Sequence, residues 1–189
     1  MNYSDEFNGL RSRYHLEEVL LYLHLHPEDF PIVFDLALQS DVKKAWRVLW
    51  AVEKVSRRTP EWFDNGMRDR LIEMVLTTSH IGMLRIGLSI LCELPVPEPL
   101  SGELLNRLYD WMLTSRFSVG VQSIAMKLLY KYVLTHPDLL HEYMLVLEET
   151  DDSETTGAFI SSRRNILKSY KKLVKKMRVN EIGPWSADC

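Results

Sequence analysis

One pattern of apolar residues recurs along this chain at a distance of 38 residues. It first appears in the segment 42–58, VKKAWRVLWAVEKVSRR, where apolar residues follow each other at the spacing of an amphipathic helix. Three sets of residues share the distance: Ala45, Met83 and Val121; Val48, Ile86 and Ile124; and Val52, Ile90 and Leu128. Recurrence at such a period predicts a stack of similar units, because one unit alone could not bury its apolar face.

The segments that precede these helices keep the same distance. Their corresponding sets are Val33, Leu71 and Tyr109; Leu36, Met74 and Met112; and Ala37, Val75 and Leu113. Each unit is therefore predicted to contain two helices, and three units follow each other without an insertion. A fourth follows if the acidic run 148–157 holds a four-residue insertion, which places Ile166 in the column of Ile124. The helix at 13–26 is then half a unit that caps the stack.

Proline and cap residues divide the chain into helices. Apolar periodicity predicts them at 13–26, 28–39, 42–58, 61–78, 79–94, 101–114, 118–135, 139–149 and 158–177. The PVPEP run at 95–99 has prolines too close together for a helix and predicts an extended connector. No stretch alternates apolar and polar residues for long enough to predict a strand.

A two-helix unit of about 38 residues resembles the HEAT and armadillo-like repeats, over roughly 28–177. The resemblance implies an all-α fold, a right-handed α-α superhelix (HEAT-like solenoid) of about nine helices. The alternative is an irregular helical bundle whose periodicity arises by chance. We expect a flexible N-terminus at 1–12, a single repeat domain at 13–178 and a C-terminal tail at 179–189.

Composition excludes several classes of protein. Hydrophobic residues make up 46% of the chain and charged residues 26%, which is typical of a globular domain. The net charge of −3 does not indicate a globally basic nucleic-acid binder. Two cysteines, Cys92 and Cys189, do not suggest a disulfide framework, and the N-terminus lacks the pattern of a signal peptide. With no apolar run long enough for a bilayer, we expect a cytoplasmic protein with no membrane contact.

The second helix of each unit carries a polar ridge with basic, small and hydroxyl residues. In HEAT-like stacks these helices line the concave side, so the resemblance implies that the ridges form a groove. The candidate binding residues are Lys44, Arg47, Lys54, Arg58, Arg85, Lys127, Tyr130 and Lys172. The ridge contains no carboxylate, which predicts a positive groove for an acidic peptide, an acidic protein surface or a phosphate backbone. The alternative is that these cations only solvate one face of each helix.

Two further features each have two interpretations. Basic residues crowd the last helix: Arg163, Arg164, Lys168, Lys171, Lys172, Lys175, Lys176 and Arg178. They predict either a nucleic-acid or membrane-surface footprint, or the polar outer face of an end helix with the acidic run 148–157 nearby. Trp46 and Trp50 flank Arg47 and either pack between units or contribute to a binding surface.

Signatures of catalysis are missing from the sequence. There is no HExxH motif, no Cys–His set with zinc spacing and no glycine-rich phosphate loop, so we assign no catalytic, cofactor or metal residue. The sequence predicts a non-enzymatic scaffold that binds another macromolecule, preferably a protein or an acidic segment. The alternative is a nucleic-acid-binding or DNA-repair protein of the HEAT-like alkyl-base glycosylase type. The oligomeric state stays open, including self-association through apolar columns at the ends of the stack.

Overall fold

The structure, a computed structural model, describes residues 13–39, 42–151 and 155–181, with side chains at 16–39, 45–151 and 155–176. The predicted flexible N-terminus at 1–12 and residues 182–189 of the predicted tail lie outside the described residues. Within them the chain forms nine α-helices and no strand, which confirms the all-α prediction. The helices are α1 (Arg13–Leu25), α2 (Phe30–Ala37), α3 (Val42–Arg58), α4 (Asn65–Thr77), α5 (Ile81–Glu93), α6 (Gly102–Leu113), α7 (Val119–Val133), α8 (Pro137–Glu149) and α9 (Gly157–Glu181).

Side-chain caps set several of the helix starts. The side chains of Asp64, His80, Ser101 and Ser118 each accept a hydrogen bond from the backbone amide three residues later. The helix predicted at 61–78 therefore begins only at Asn65, and a short 3₁₀ turn, Pro60–Trp62, precedes it. The helix predicted at 28–39 begins only at Phe30, because its first two residues belong to a second 3₁₀ turn, Pro27–Asp29. The last helix is longer than predicted and ends at Glu181.

The second helices of the units stack directly on each other. Helix α3 packs against α5, α5 against α7, and α7 against α9. The first helices α2, α4 and α6 each pack against the second helix that follows them, and α8 packs against α7. Helix α1 packs against α3, which is the position of a second helix from a preceding half unit. The arrangement is the α-α superhelix that the repeat predicts.

The apolar columns of the second helices form the core. The nine residues in the three columns named above are buried except Ile124, which is half-buried. In the first helices the predicted column of Ala37, Val75 and Leu113 is wrong at its last member. Leu113 is 46% exposed, while Met112 is fully buried. Helix α6 starts 37 residues after α4, so its buried positions follow that offset: Met112 lies 37 residues after Val75, and Leu108 lies 37 after Leu71.

Close contact between the helices of one unit depends on a glycine. A Cβ atom on Gly87 of α5 would lie 2.4 Å from a methyl carbon of Val75 on α4. The missing side chain lets the two helices approach each other. Gly87 thus marks the side of α5 that faces its first helix.

Candidate binding surfaces on the second helices

The predicted ridge lies on the side of α5 that faces away from α4. Each residue of an α-helix is rotated by about 100° from the one before it, so Arg85 points about 160° away from the direction of Gly87. Arg85 is exposed, as this position requires. Because the neighbouring second helices repeat the same columns, their ridge residues occupy the equivalent side of the stack.

Exposure differs among the eight candidate residues. Arg58, Arg85, Lys127 and Lys172 are exposed, whereas Arg47, Lys54 and Tyr130 are half-buried. Lys44 belongs to α3, but its side chain lies outside the described residues. The candidates are spread over α3, α5, α7 and α9.

On α3 the ridge combines cations with indole rings. The Arg47 guanidinium carbon lies 6.0 Å from the centre of the Trp46 ring, and the Lys54 ammonium lies 5.9 Å from that of Trp50. Such distances permit a cation–π interaction. Trp50 packs against the core, whereas Trp46 is 39% exposed and leaves part of its indole ring accessible to a ligand.

Two ridge arginines reach a neighbouring second helix. Arg58 Nη2 lies 3.2 Å from Glu17 Oε2, an exposed ion pair that joins α3 to α1. Arg85 Cδ would lie 3.2 Å from a Cβ atom on Gly120, so the stem of Arg85 rests on the first turn of α7. A side chain at that position of α7 would compete with Arg85 for the space.

One side of Tyr130 packs against the core. Its ring stacks on that of Tyr143, with 6.2 Å between the centres, and Tyr143 donates a hydrogen bond to the carbonyl of Met126. Burial raises the pKa of Tyr130, and the neighbouring Tyr170 raises it further. The phenol is therefore neutral at physiological pH and offers a ring face and a hydroxyl to a ligand.

A buried carboxylate lies at the contact between α3 and α5. Glu53, only 5% exposed, accepts hydrogen bonds from Ser89 Oγ at 2.7 Å and from Arg57 Nη2 at 3.0 Å. Glu53 and Ser89 thus join α3 to α5 through a buried carboxylate, while the candidate ridge residues themselves include no carboxylate. The spacing of Glu53 and Arg57 by four residues is the sequence signal for this ion pair.

Lys131 caps the C-terminal end of α5, where Cys92 lies. Lys131 Nζ donates hydrogen bonds to the carbonyls of Cys92, at 2.7 Å, and of Leu94, which satisfies groups that have no partner within the helix. Burial raises the pKa of the Cys92 thiol to about 11, because a thiolate would be poorly solvated there. The thiol is protonated at neutral pH, as is typical of a packed cysteine rather than an activated nucleophile.

Helix α9, the last helix of the described residues, presents a second basic surface. A shallow cavity of about 520 Å³ runs along it. The cavity is lined by two half-buried apolar residues and six cations: Ile160, Leu167, Arg163, Arg164, Lys168, Lys171, Lys172 and Lys175. Lys172 of the predicted ridge belongs to this surface.

The described part of the chain contains no group of three His, Cys, Asp or Glu residues that could hold a metal ion. None of its helices combines the length and the apolar character needed to cross a membrane.

Comparison with known proteins identifies the family. The model of the HEAT repeat domain matches residues 3–170, most of the 189-residue chain. The chain belongs to the HEAT repeat domain family. HEAT repeats commonly mediate protein interactions, so the fold and family together define a helical-repeat scaffold. Neither the curated proteins nor the solved structures compared with the chain include a significant match.

Proposed function

We propose that this protein is a non-enzymatic scaffold that binds an acidic segment of another protein through the basic ridge of its second helices. We define the basic ridge as Arg47, Lys54, Arg85 and Lys127. The observation that carries the proposal is the exposure of Arg85 and Lys127 on the side away from the first helices. Neither residue forms an ion pair with a carboxylate of the described residues.

An acidic segment suits this surface for two physical reasons. Cations on neighbouring helices add their potentials within a screening distance of about 8 Å, so they attract a run of carboxylates more strongly than a single charge. Trp46 adds an exposed aromatic ring beside Arg47, and exposed indoles are frequent anchors in protein interfaces. Tyr130 supplies a further ring face on α7.

The test is a nuclear magnetic resonance titration with an acidic, unstructured peptide of about 20 residues, compared between the wild type and Arg85→Glu/Lys127→Glu. We expect amide shifts along α3, α5 and α7 in the wild type, and about tenfold weaker binding in the variant. The matched control is Arg70→Glu/Arg107→Glu, which changes the net charge equally but alters exposed arginines of the first helices α4 and α6.

Three outcomes would contradict the proposal. One is an equal loss of affinity in the control, which would assign binding to net charge alone. Another is a set of shifts confined to α9, which would leave the ridge without a ligand. The third is tighter binding of duplex DNA with a steep dependence on salt, which would favour the nucleic-acid-binding alternative.

A further inference from the structure

Helix α9 has cations at positions where the interior second helices have buried residues. On α5 the three positions are Leu84, Leu88 and Leu91, and on α7 they are Gln122, Met126 and Leu129; all six are buried. With the four-residue insertion, the same columns on α9 hold Arg164, Lys168 and Lys171, which are exposed. On α3 the position equivalent to Leu84 is Trp46. The position equivalent to Leu91 is Glu53, whose carboxylate contacts Ser89 of α5.

These columns face the direction in which the stack would continue. On α9 the opposite side packs against α7, with Phe159 and Ile166 buried and Ser162 Oγ donating to Ser123 Oγ at 3.0 Å. The cationic side is therefore the place at which a further second helix would stack. We call it the terminal face and define it by Ile160, Arg164, Leu167, Lys168, Lys171 and Lys175, which line the cavity of about 520 Å³.

The terminal face has more charge of one sign than a cap needs. An end unit requires a polar outer face, and a mixture of lysines and glutamates would supply it. The sequence from Gly157 to Lys176 instead holds seven cations and no carboxylate. Pairs such as Arg164 and Lys168, four residues apart on one helix, repel each other and destabilise it.

The described residues compensate little of this charge. Arg163 donates to the backbone carbonyls of Leu147 and Thr150 at the end of α8. Within the described residues no carboxylate forms an ion pair with the cations of the terminal face. The surface is therefore self-repelling, and a negatively charged partner would relieve that repulsion.

We infer that the terminal face binds an acidic amphipathic helix of another protein, which stacks on α9 as the next second helix of the solenoid. Ile160 and Leu167, seven residues apart, provide apolar contacts two turns apart for one face of that helix. The surrounding cations pair with carboxylates on its flanks. This surface is separate from the basic ridge, so the inference goes beyond the proposed function.

The probe is a synthetic helical peptide of about 18 residues with a leucine stripe flanked by glutamates. A scrambled peptide of identical composition keeps the charge but lacks the apolar face. We expect saturable binding of the first peptide, with amide shifts at Ile160 and Leu167, and at least tenfold weaker binding of the scrambled one. Circular dichroism melts verify that every variant is folded.

Charge reversal by Lys168→Glu/Lys171→Glu is expected to weaken binding of the helical peptide by about tenfold or more. Leu167→Ala should weaken it by about fivefold through lost apolar contact. The matched control is Arg85→Glu/Lys127→Glu, which changes the ridge by the same charge and should leave this affinity within about twofold. That control also separates failure of this inference from failure of the proposed function.

Several results would overturn the inference. The scrambled peptide binding as tightly as the helical one would mean that only charge is recognised. Duplex DNA binding more tightly than the peptide would assign the face to a phosphate backbone. No saturable binding up to about 1 mM peptide, or unchanged affinity in Lys168→Glu/Lys171→Glu, would show that the face is only a solvated end.

Discussion

Helices α5 and α9 occupy the same place in successive repeat units but bury very different surfaces. Leu88 of α5 is fully buried, whereas Lys168 in the same column of α9 is exposed. Cys92 of α5 is half-buried beside Lys131, whereas Lys172 in its column is exposed. Helix α5 has a second helix on both sides, and α9 has one on a single side. Position in the stack, rather than the repeat pattern itself, thus decides which columns become core.

The largest expected effect is a loss of stability when a buried residue of α5 is truncated. Leu88→Ala should lower the free energy of unfolding by about 3 kcal/mol, because it removes apolar contact and leaves a cavity. Lys168→Ala, in the same column, should change it by less than about 0.5 kcal/mol. Urea denaturation monitored by circular dichroism measures both. Equal losses for the two variants would mean that α9 is packed as α5 is.

A smaller effect is expected at alkaline pH. Burial raises the pKa of Cys92 from 9.0 to about 11, so the unfolded chain loses this proton first. The stability that the neutral thiol contributes is complete below pH 9 and is lost as the pH rises toward 11. Unfolding free energies across this range should therefore fall, with roughly 2 kcal/mol attributable to Cys92.

Cys92→Val isolates that contribution, since valine has a similar volume and no ionisable group. Its decrease in stability between pH 9 and 11 should be shallower than that of the wild type. A residual decrease in stability is expected from Tyr109. Burial raises the pKa of Tyr109 to about 12, and the nearby Glu142 adds to the shift. If the variant and the wild type lose stability in parallel, the thiol is not held in the buried environment that distinguishes α5 from α9.

The smallest expected effect is a gain in stability on α9. Lys168→Glu replaces repulsion from Arg164, Lys171 and Lys172 by attraction at helical spacing, which should stabilise the helix by about 0.5 kcal/mol. Thermal melts at low and high salt measure it, and salt should reduce the gain. A loss of stability would show that Lys168 makes a favourable contact and that the terminal face is not self-repelling.

Much of the fold could be predicted from the sequence. The sequence predicts helix α3 at 42–58, where it forms, and its column residues Val48 and Val52 are buried. The register of the first helices was harder to predict, because their start depends on the length of each connector. A cap at Ser101 begins α6 one residue early relative to the 38-residue repeat, and this exposes Leu113.

The candidate sites were predicted less completely. Periodicity could indicate which side of α5 carries Arg85, because the rotation per residue is fixed. It could not show that Trp46 is exposed, since an equivalent leucine on α5 is buried. Nor could it show that Glu53 reaches Ser89, because these residues are 36 apart in sequence and meet only through the packing of α3 against α5.

By itself the sequence determined the all-helical class, the two-helix repeat and the core columns of the second helices, because these follow from local periodicity and from caps within one turn. Only the tertiary structure decided which helix lies beside which, and therefore which columns are covered. Burial depends on neighbours on both sides of a helix. For that reason the cations of α9 and the leucines of α5, at equivalent positions of one repeat, have different surroundings and different functions open to them.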